Sequence, residues 1–180
     1  MAISALSTAR TTTHGVLVSV SGAGVLIIGE SGMGKSDCAL DLVSQGHKLI
    51  ADDVVLLERV GDSVFGEAPG RFVGLLAVDG IGIIDVRQTF GSGAFQLKTS
   101  IGMCIEFRKR GTSVENDFLT PRSLYELLGV EIPKFTFSVQ NGRNLRLLVE
   151  TVVKVIDGND MTMVTLAGTH DEIVAAASHK

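Results

Sequence analysis

The sequence predicts an α/β fold, in which a sheet of mixed strands with few helices carries a glycine-rich loop. Three observations lead to this prediction. Short apolar or alternating segments, separated by glycine, asparagine and aspartate, recur through most of the 180 residues and are typical of strands. Few segments show helical periodicity. One apolar strand passes through the glycine-rich loop directly into a helix, as strands do in α/β sheets.

The loop at residues 29–36 is the most specific feature of the chain. It follows an apolar strand predicted at residues 25–28 and matches the phosphate-binding pattern G-x-x-x-x-G-K-[ST] at every fixed position. Its residues are Gly29, Glu30, Ser31, Gly32, Met33, Gly34, Lys35 and Ser36. The glycines let backbone N–H groups surround an anion, and the following helix adds the positive end of its dipole. We expect Lys35 to reach the β and γ phosphates of a nucleotide, and the Ser36 hydroxyl to bind Mg²⁺.

Segments on either side of this loop predict a hairpin, a helix and further strands. A strand at residues 14–19 turns back at residues 21–24 and pairs with the loop strand. The helix covers residues 36–45 and ends at Gly46. Strands are then expected at residues 48–51, 54–59 and 63–65. Residues 1–13, rich in Ser, Thr and Ala, are expected to be a loose lead-in to a single domain of residues 14–180.

The rest of the chain predicts further strands and helices. Residues 66–74 are expected to be a loop with a short helix, and strands are expected at residues 75–78, 81–86, 101–107 and 135–139. A helix at residues 121–128 is predicted from Pro121 at its start and Gly129 after its end. Asn144 is expected to cap the most amphipathic helix, which runs to residue 156. A capping box at Thr169 and Glu172 predicts a last helix at residues 171–177.

Two adjacent carboxylates, Asp52 and Asp53, follow the strand at residues 48–51. Because ligands lie at the carboxyl ends of strands in α/β sheets, we expect this pair to face the nucleotide. Adjacent side chains point to opposite sides of a strand, so one carboxylate can serve Mg²⁺ and the other can accept a proton from a hydroxyl. The alternative is a solvated turn. His14 begins the first strand, and a lone histidine is more often structural than catalytic.

Composition narrows the functional class. The net charge of −4 and the lack of a long basic run argue against nucleic acid as a partner. The one basic cluster, residues 108–110, is either a solvated loop or a surface for an acidic partner. Cys38 and Cys104 lack the spacing of a zinc site and are expected to be buried in a reducing compartment. The chain has no apolar run long enough to span a membrane, and its start does not resemble a signal peptide, so we expect a cytoplasmic protein.

With these residues in place, the chain resembles the catalytic domain of HPr kinase/phosphorylase, a bacterial enzyme of sugar-uptake control. The resemblance rests on five ordered blocks within residues 14–157: residues 14–18, 29–36, 45–53, 80–86 and 142–145. Many members carry an additional N-terminal domain, which this chain is expected to lack. The resemblance implies a fold related to phosphoenolpyruvate carboxykinase, a homohexamer, and an ATP- and Mg²⁺-dependent kinase for a serine of HPr or an HPr-like protein. It also implies removal of that phosphate by inorganic phosphate to give pyrophosphate.

The resemblance also implies roles for individual residues. His14 becomes an active-site histidine, Lys35 binds phosphate and Ser36 ligates Mg²⁺. Asp52 and Asp53 become the catalytic carboxylates. One of the two is the base, and which one stays open; Asp53 is also a candidate metal ligand. His14 therefore changes from a structural to a catalytic expectation.

Three departures from the family pattern affect the expected site. Ala77 stands where the family has a glutamate that ligates Mg²⁺, and Asp79 stands where it has an arginine. Asp79 is expected on the same strand face as Ala77, so we hypothesise that it supplies the metal contact. A second family arginine has no clear counterpart: an ungapped comparison places Asp117 there, which leaves three possible substitutes, Arg108, Arg110 and Arg122.

The third departure is in the loop that the family links to dephosphorylation. In this chain the expected phosphate or acceptor loop contains Gln140, Asn141, Gly142 and Arg143, and Gln140 replaces a basic residue. Losing this charge should weaken dephosphorylation more than nucleotide binding. Three functions remain: a serine kinase for an HPr-like protein, a nucleotide-binding regulatory module with weak turnover, and a kinase for another protein or a small molecule.

Overall fold

The computed structural model describes residues 9–109, 123–139 and 143–157, which contain eleven strands and three α-helices. The strands are β1 (Arg10–His14), β2 (Val16–Val20), β3 (Ala23–Gly29), β4 (Lys48–Ala51), β5 (Val54–Val60), β6 (Ser63–Glu67), β7 (Leu75–Val78), β8 (Gly82–Asp85), β9 (Lys98–Lys109), β10 (Ser123–Leu127) and β11 (Val130–Val139). The helices are α1 (Lys35–Ser44), α2 (Val86–Phe90) and α3 (Leu145–Asp157). Single 3-10 turns lie at Gly70–Phe72 and Ser92–Ala94.

Nine strands form one sheet of mixed direction. Its order is β1-β5-β6-β9-β3-β2-β4, and β11, followed by β10, is added at β9. β9 runs parallel to both β3 and β11, so the carboxyl ends of these three strands lie at the same edge. The other pairs are antiparallel, and β7 and β8 form a separate hairpin. A mixed sheet with few helices confirms the predicted fold class.

Both faces of the central sheet are buried, which explains why its strands have continuous apolar sequences. Along β2, Val16 and Val18 belong to one core cluster, whereas Leu17 belongs to a second. The first cluster includes the buried faces of α1 and α3: Cys38, Ala39, Leu42, Val43, Val149, Val152 and Val153. These helices therefore cover the face of β3 beside the phosphate loop, residues 29–36.

Several predicted elements are confirmed. β2 and β3 form the predicted hairpin, and α1 begins at Lys35. Asn144 caps α3, because its Oδ1 accepts the Leu147 N–H at 2.9 Å. Cys38 and Cys104 are buried, and burial raises the pKa of both thiols to about 12. Within the described ranges, no helix combines the length and the apolar character needed to cross a membrane.

The prediction that residues 1–13 form a loose lead-in is wrong for residues 10–13. These residues belong to β1, which pairs antiparallel with β5 from Arg10 opposite Glu58 to His14 opposite Val54. β1 is largely exposed and contains three consecutive threonines, so its sequence lacks the apolar alternation of a buried strand. Threonine nevertheless favours extended backbone, and main-chain pairing with β5 does not require an apolar face.

The helix predicted at residues 121–128 is also wrong where the structure describes it. Residues 123–127 form β10, which pairs with β11 through Leu127 opposite Val130. Leu128 and Gly129 form the two-residue turn with φ values of 51° and 75°, as in a type I′ hairpin. The glycine taken as a helix end is therefore part of a hairpin turn.

The strand predicted to reach Val86 instead ends at Asp85, whose Oδ1 accepts the Arg87 N–H at 2.9 Å and caps α2. The helix predicted at residues 171–177 lies outside the described residues.

Candidate active site

The phosphate loop connects β3 to α1 and has the backbone geometry of an anion cradle. A Cβ on Gly29, which has a φ of 144°, would lie 2.4 Å from the carbonyl oxygen of Phe107 in β9, so this close strand contact requires glycine. Gly34 adopts the left-handed conformation, with φ 74°, and caps α1. Its carbonyl accepts the Cys38 N–H at 2.9 Å. The first amides of α1 are therefore left to bind an anion at the loop.

Lys35 places its ammonium group on the loop itself. Its Nζ donates hydrogen bonds of 2.8 Å to the carbonyl oxygens of Gly29 and Glu30. These contacts hold the positive charge at the residues where the loop begins. A lysine in this sequence pattern binds the β and γ phosphates of a nucleotide, and that role for Lys35 stays a prediction.

Asp52 connects three parts of the site. Its Oδ1 accepts a hydrogen bond of 3.0 Å from the Ser36 hydroxyl, and its Oδ2 accepts one of 2.8 Å from the Ala77 N–H. Partial burial raises the pKa of the Asp52 carboxyl, and these two hydrogen bonds oppose the shift. Asp52 therefore links the end of β4 to the phosphate loop and to the β7–β8 hairpin.

Asp53 points away from this network and toward solvent. Its side chain is 83% exposed, and its Oδ1 lies 3.8 Å from Nδ1 of His14. Asp53 has a φ of 65°, and its carbonyl accepts the Gly15 N–H at 3.1 Å. The left-handed backbone thus separates the two adjacent carboxylates, with one fixed inside the site and one at its mouth.

An open cleft of about 460 Å³ brings eight of the predicted site residues together. The predicted residues that line it are Ser31, Gly32, Gly34, Lys35, Ser36, Asp52, Asp53 and Asp79. Ala77 also lines the cleft, beside Asp79 on the hairpin. His14 is not among the lining residues and contacts the cleft through Asp53. Met33 lies instead on a second cleft, and Gly29 and Glu30 on a third.

The donors in the cleft suit a hard divalent cation that is also bound by phosphate. The Ser36 hydroxyl and an Asp52 carboxylate oxygen are adjacent, and Mg²⁺ prefers such oxygen ligands. Among the described residues, no three His, Cys, Asp or Glu side chains cluster to form a metal cage. Mg²⁺ commonly takes one or two protein ligands and completes its shell with substrate phosphates and water. The residues present therefore fit a magnesium–nucleotide complex.

The predicted phosphate or acceptor loop is described only at Arg143. Its Nη1 donates to the Ser138 carbonyl at 2.9 Å, and its guanidinium lies 5.7 Å from the centre of the Phe137 ring. Arg143 lines the second cleft, on the side of the phosphate loop next to α3. Gln140, Asn141 and Gly142 lie outside the described residues.

Of the substitutes proposed for the family arginine, only Arg108 is described. It is paired with Glu106, at 3.1 Å, beside the third cleft. Arg110, Arg122 and Asp117 lie outside the described residues.

The sequence did not predict that the backbone N–H of Ala77 takes part in the site. This N–H holds the Asp52 carboxylate in place through a hydrogen bond. Every residue except proline has this N–H, so no side-chain pattern could have revealed its role.

Comparisons with known proteins agree with this architecture. The family model for the HPr serine kinase C-terminal domain matches residues 5–172. The HPr kinase/phosphorylase of Caldicellulosiruptor bescii is 42% identical over 144 residues, covering 78% of this chain and 46% of that protein. The enzyme of the same name from Lactobacillus johnsonii is 45% identical over 143 residues, covering 78% and 45%. This chain thus spans about half the length of these relatives.

A solved structure gives the same result at the level of the fold. The structure of the Hpr(Ser) kinase/phosphatase from Coxiella burnetii superposes with a TM-score of 0.77 at 33% sequence identity. The match covers 88% of this chain and 99% of the solved chain.

Proposed function

This chain belongs to the HPr serine kinase C-terminal domain family, and from that premise we propose that it is an ATP-dependent kinase for a serine of HPr or an HPr-like protein. Family membership confirms the resemblance read from the five sequence blocks. One observation carries the functional proposal. The inner carboxylate, Asp52, accepts a hydrogen bond from the Ser36 hydroxyl, whereas the adjacent Asp53 is exposed at the mouth of the same cleft. Phosphoryl transfer to a hydroxyl needs both a metal-binding carboxylate and a free base.

The loop amides from Gly32 to Ser36 and the Lys35 ammonium hold the phosphates of ATP. Ser36 and Asp52 hold Mg²⁺, which when bound neutralises phosphate charge. We assign this metal role to Asp52 and not to Asp53, because Asp52 is the carboxylate hydrogen-bonded to Ser36. Asp79 takes the place of the family glutamate as a further metal contact, since it lines the same cleft as Ala77.

Asp53 acts as the base. Its exposed carboxylate can accept the proton of an incoming serine hydroxyl as the serine oxygen attacks the γ-phosphorus of ATP. The bond from that phosphorus to the β,γ-bridging oxygen breaks, ADP leaves, and Asp53 releases the proton to solvent. Nδ1 of His14 lies 3.8 Å from the Asp53 carboxylate, so the imidazole stands beside the base at the edge of the cleft. The two adjacent aspartates therefore divide the work: Asp52 holds the metal, and Asp53 moves the proton.

We extend the proposal to dephosphorylation and to the assembly. Inorganic phosphate attacks the phosphorus of phosphoserine, the bond to the serine oxygen breaks, and pyrophosphate and the free serine hydroxyl are formed at the same loop and carboxylates. We propose that the protein is cytoplasmic and binds neither nucleic acid nor membrane. We also propose that it forms a homo-oligomer, which family resemblance indicates to be a hexamer. Light scattering of the purified chain measures this last feature directly.

The decisive experiment incubates the purified chain with ATP, Mg²⁺ and HPr and maps phosphorylation by mass spectrometry. Phosphoserine on HPr supports the proposal, and a Lys35→Ala variant controls for a contaminating kinase. ATP binding without transfer to any acceptor would favour the regulatory module. Transfer to a different acceptor would favour a kinase of other specificity.

A further inference from the structure

The second cleft lies between the phosphate loop and α3 and continues from the cleft that contains Asp52. It has a volume of about 460 Å³ and shares Gly32, Gly34 and Asp37 with the Asp52 cleft, here called the phosphate cleft. The third cleft has no described lining residue in common with the phosphate cleft. A ligand that begins in the phosphate cleft and is too long for it therefore extends into the second cleft and not into the third.

Two glycines keep the passage between these clefts free of side chains. Gly32 and Gly34 have left-handed φ values of 79° and 74°. A Cβ on Gly32 would meet nothing within 4 Å, and a Cβ on Gly34 would lie 3.5 Å from Cδ1 of Leu145 in α3. Bare backbone of this kind can follow a chain of phosphates closely, with its N–H groups toward the phosphate oxygens.

The Ser36–Asp52 pair decides which end of a nucleotide lies in which cleft. Both residues line the phosphate cleft, where the hydroxyl and the carboxylate are hydrogen-bonded. Under the proposed function they hold Mg²⁺, which is bound by the terminal phosphates of a nucleoside triphosphate. The γ-phosphate end therefore lies in the phosphate cleft, and the nucleoside end points across Gly32 and Gly34 toward the second cleft.

Apolar side chains from three different elements form one wall of the second cleft. They are Met33 in the phosphate loop, Val139 at the end of β11 and Leu145 at the start of α3. All three are half-buried and pack against the main core cluster. Sites for small organic ligands typically have a volume of roughly 300–1,000 Å³ and mainly apolar walls. This wall therefore suits the flat face of a nucleotide base.

The basic side chains of the second cleft are already paired within the protein. Arg146 donates from Nε to Asp41 Oδ2 at 3.0 Å and from Nη1 to Glu150 Oε2 at 2.9 Å, which also ties α3 to α1. Arg143 donates to the Ser138 carbonyl at 2.9 Å. Because these charges are compensated, the cleft suits an uncharged group better than a second anion.

An exposed carboxylate at the passage favours a ligand with hydroxyl groups. Asp37 lies in the first turn of α1 and lines both clefts. It has no ion pair and no side-chain hydrogen bond with any other residue in the described ranges. A carboxylate repels a phosphate but accepts hydrogen bonds from neutral hydroxyl groups. A ribose, which follows the phosphates and carries two adjacent hydroxyls, matches this position.

We propose that the second cleft is the nucleoside subsite of the ATP site. The base lies against Met33, Val139 and Leu145, and the ribose hydroxyls donate hydrogen bonds to the Asp37 carboxylate. This inference rests on ATP as the ligand of the phosphate loop, which is part of the proposed function. It makes the chain selective for a nucleotide over an inorganic polyphosphate, and for a ribonucleotide over a nucleotide without the ribose hydroxyls.

Calorimetry of the purified chain in the presence of Mg²⁺ tests the base contacts without an acceptor protein. ATP is compared with inorganic tripolyphosphate, because both carry three phosphates and only ATP has a nucleoside. The wild type should bind ATP more tightly. Leu145→Ser should lower the ratio of ATP affinity to tripolyphosphate affinity by about tenfold, since it removes an apolar contact of the base. Leu147→Ser is the matched control: Leu147 is 55% exposed in the same turn of α3, lies outside the lining of the cleft and should leave the ratio unchanged.

The ribose contact is tested by comparing ATP with 2′,3′-dideoxy-ATP. The wild type should prefer ATP by about tenfold, because hydrogen bonds to a charged carboxylate are lost with the hydroxyls. Asp37→Ala should bind the two nucleotides equally. Asp37 is exposed, so this substitution leaves the core packing of α1 in place.

The outcomes separate the subsite from the kinase function. The subsite is overturned if Leu145→Ser or Asp37→Ala keeps the wild-type ratio, or if the wild type binds tripolyphosphate as tightly as ATP. Phosphoserine on HPr together with unchanged ratios would overturn the subsite and leave the kinase function intact. Ratios that shift as expected, in a chain that transfers no phosphate to any acceptor, would support the subsite and contradict the kinase function.

Discussion

The Ser36 hydroxyl donates a 3.0 Å hydrogen bond to Oδ1 of Asp52, which joins the first turn of α1 to the carboxyl end of β4. The pair unites the predicted metal-binding hydroxyl of the phosphate loop with a carboxylate from a different element. It leads to the first prediction.

Asp52→Asn should weaken Mg²⁺-dependent ATP binding by roughly 10- to 100-fold, because it removes the charge beside Ser36. Calorimetry with and without Mg²⁺ measures this. Binding in the absence of Mg²⁺ should change little, since the loop amides and Lys35 are retained. An equal loss in both conditions would contradict a metal-binding role.

Mg²⁺-dependent ATP affinity should also fall as the pH is lowered. The fall should begin at a higher pH than it would if the metal ligand were an aspartate with an ordinary pKa. Burial raises the pKa of Asp52, so its carboxylate takes up a proton earlier as pH falls, and the protonated form cannot ligate a cation. Affinity measured across an acidic pH series in the presence of Mg²⁺ tests this. The same series on Asp52→Asn should be flatter.

Asp53→Asn should leave ATP affinity close to that of the wild type but lower the rate of phosphoryl transfer by roughly 10²- to 10⁴-fold, because the base is lost. Single-turnover rates with HPr check the prediction. If Asp53→Asn instead lost much of its ATP affinity but transferred the phosphoryl group from bound ATP at the wild-type rate, Asp53 would have a metal-binding role.

Asp79→Ala should reduce Mg²⁺-dependent nucleotide binding if Asp79 replaces the family glutamate. Unchanged binding would reject the substitution hypothesis. The complementary variant, Ala77→Glu, restores the family residue in an exposed position of β7 and should raise Mg²⁺ affinity by roughly tenfold, while preserving the backbone N–H that holds Asp52.

Gly29→Ala should destabilise the fold by about 3 kcal/mol, because φ at this residue is 144° and the added Cβ would lie 2.4 Å from the Phe107 carbonyl oxygen. Chemical denaturation gives the change in free energy of unfolding. Gly93→Ala is the control, since Gly93 does not have a left-handed φ and a Cβ there meets nothing within 4 Å. Similar stability losses in both variants would show that close packing of β3 on β9 is not the cause.

The elements that the sequence predicted correctly have strong local signals. The phosphate loop combines an apolar strand, positioned glycines, Lys35 and Ser36, and α3 has both an amphipathic face and the Asn144 cap. The predictions for β1 and β10 were wrong because both segments are strands only through pairing with another segment. β1 pairs with β5, which is distant in sequence, and β10 pairs with β11 across a tight turn. For residues 123–127, pairing with β11 overrides the helical signal of the flanking proline and glycine.

The sequence also predicted which residues come together at the cleft. Asp52, Asp53, Lys35 and Ser36 line one cleft, because strand ends and loop geometry can be inferred from local sequence, while their roles stay predictions. The sequence did not distinguish the two aspartates. Their separation depends on the φ of 65° at Asp53 and on contacts with Ser36, Ala77 and His14, which come from other elements.

The hydrogen bond from the Ala77 amide to Asp52 has a consequence for how this cleft can change over time. Because the anchor is main chain, any amino acid other than proline at position 77 can keep Asp52 in place. The side chain at that position is then free to gain or lose a metal ligand without disturbing the carboxylate beneath it. Under the proposed function, a single codon can therefore adjust the preference for a cation, while the main-chain anchor of Asp52 stays the same.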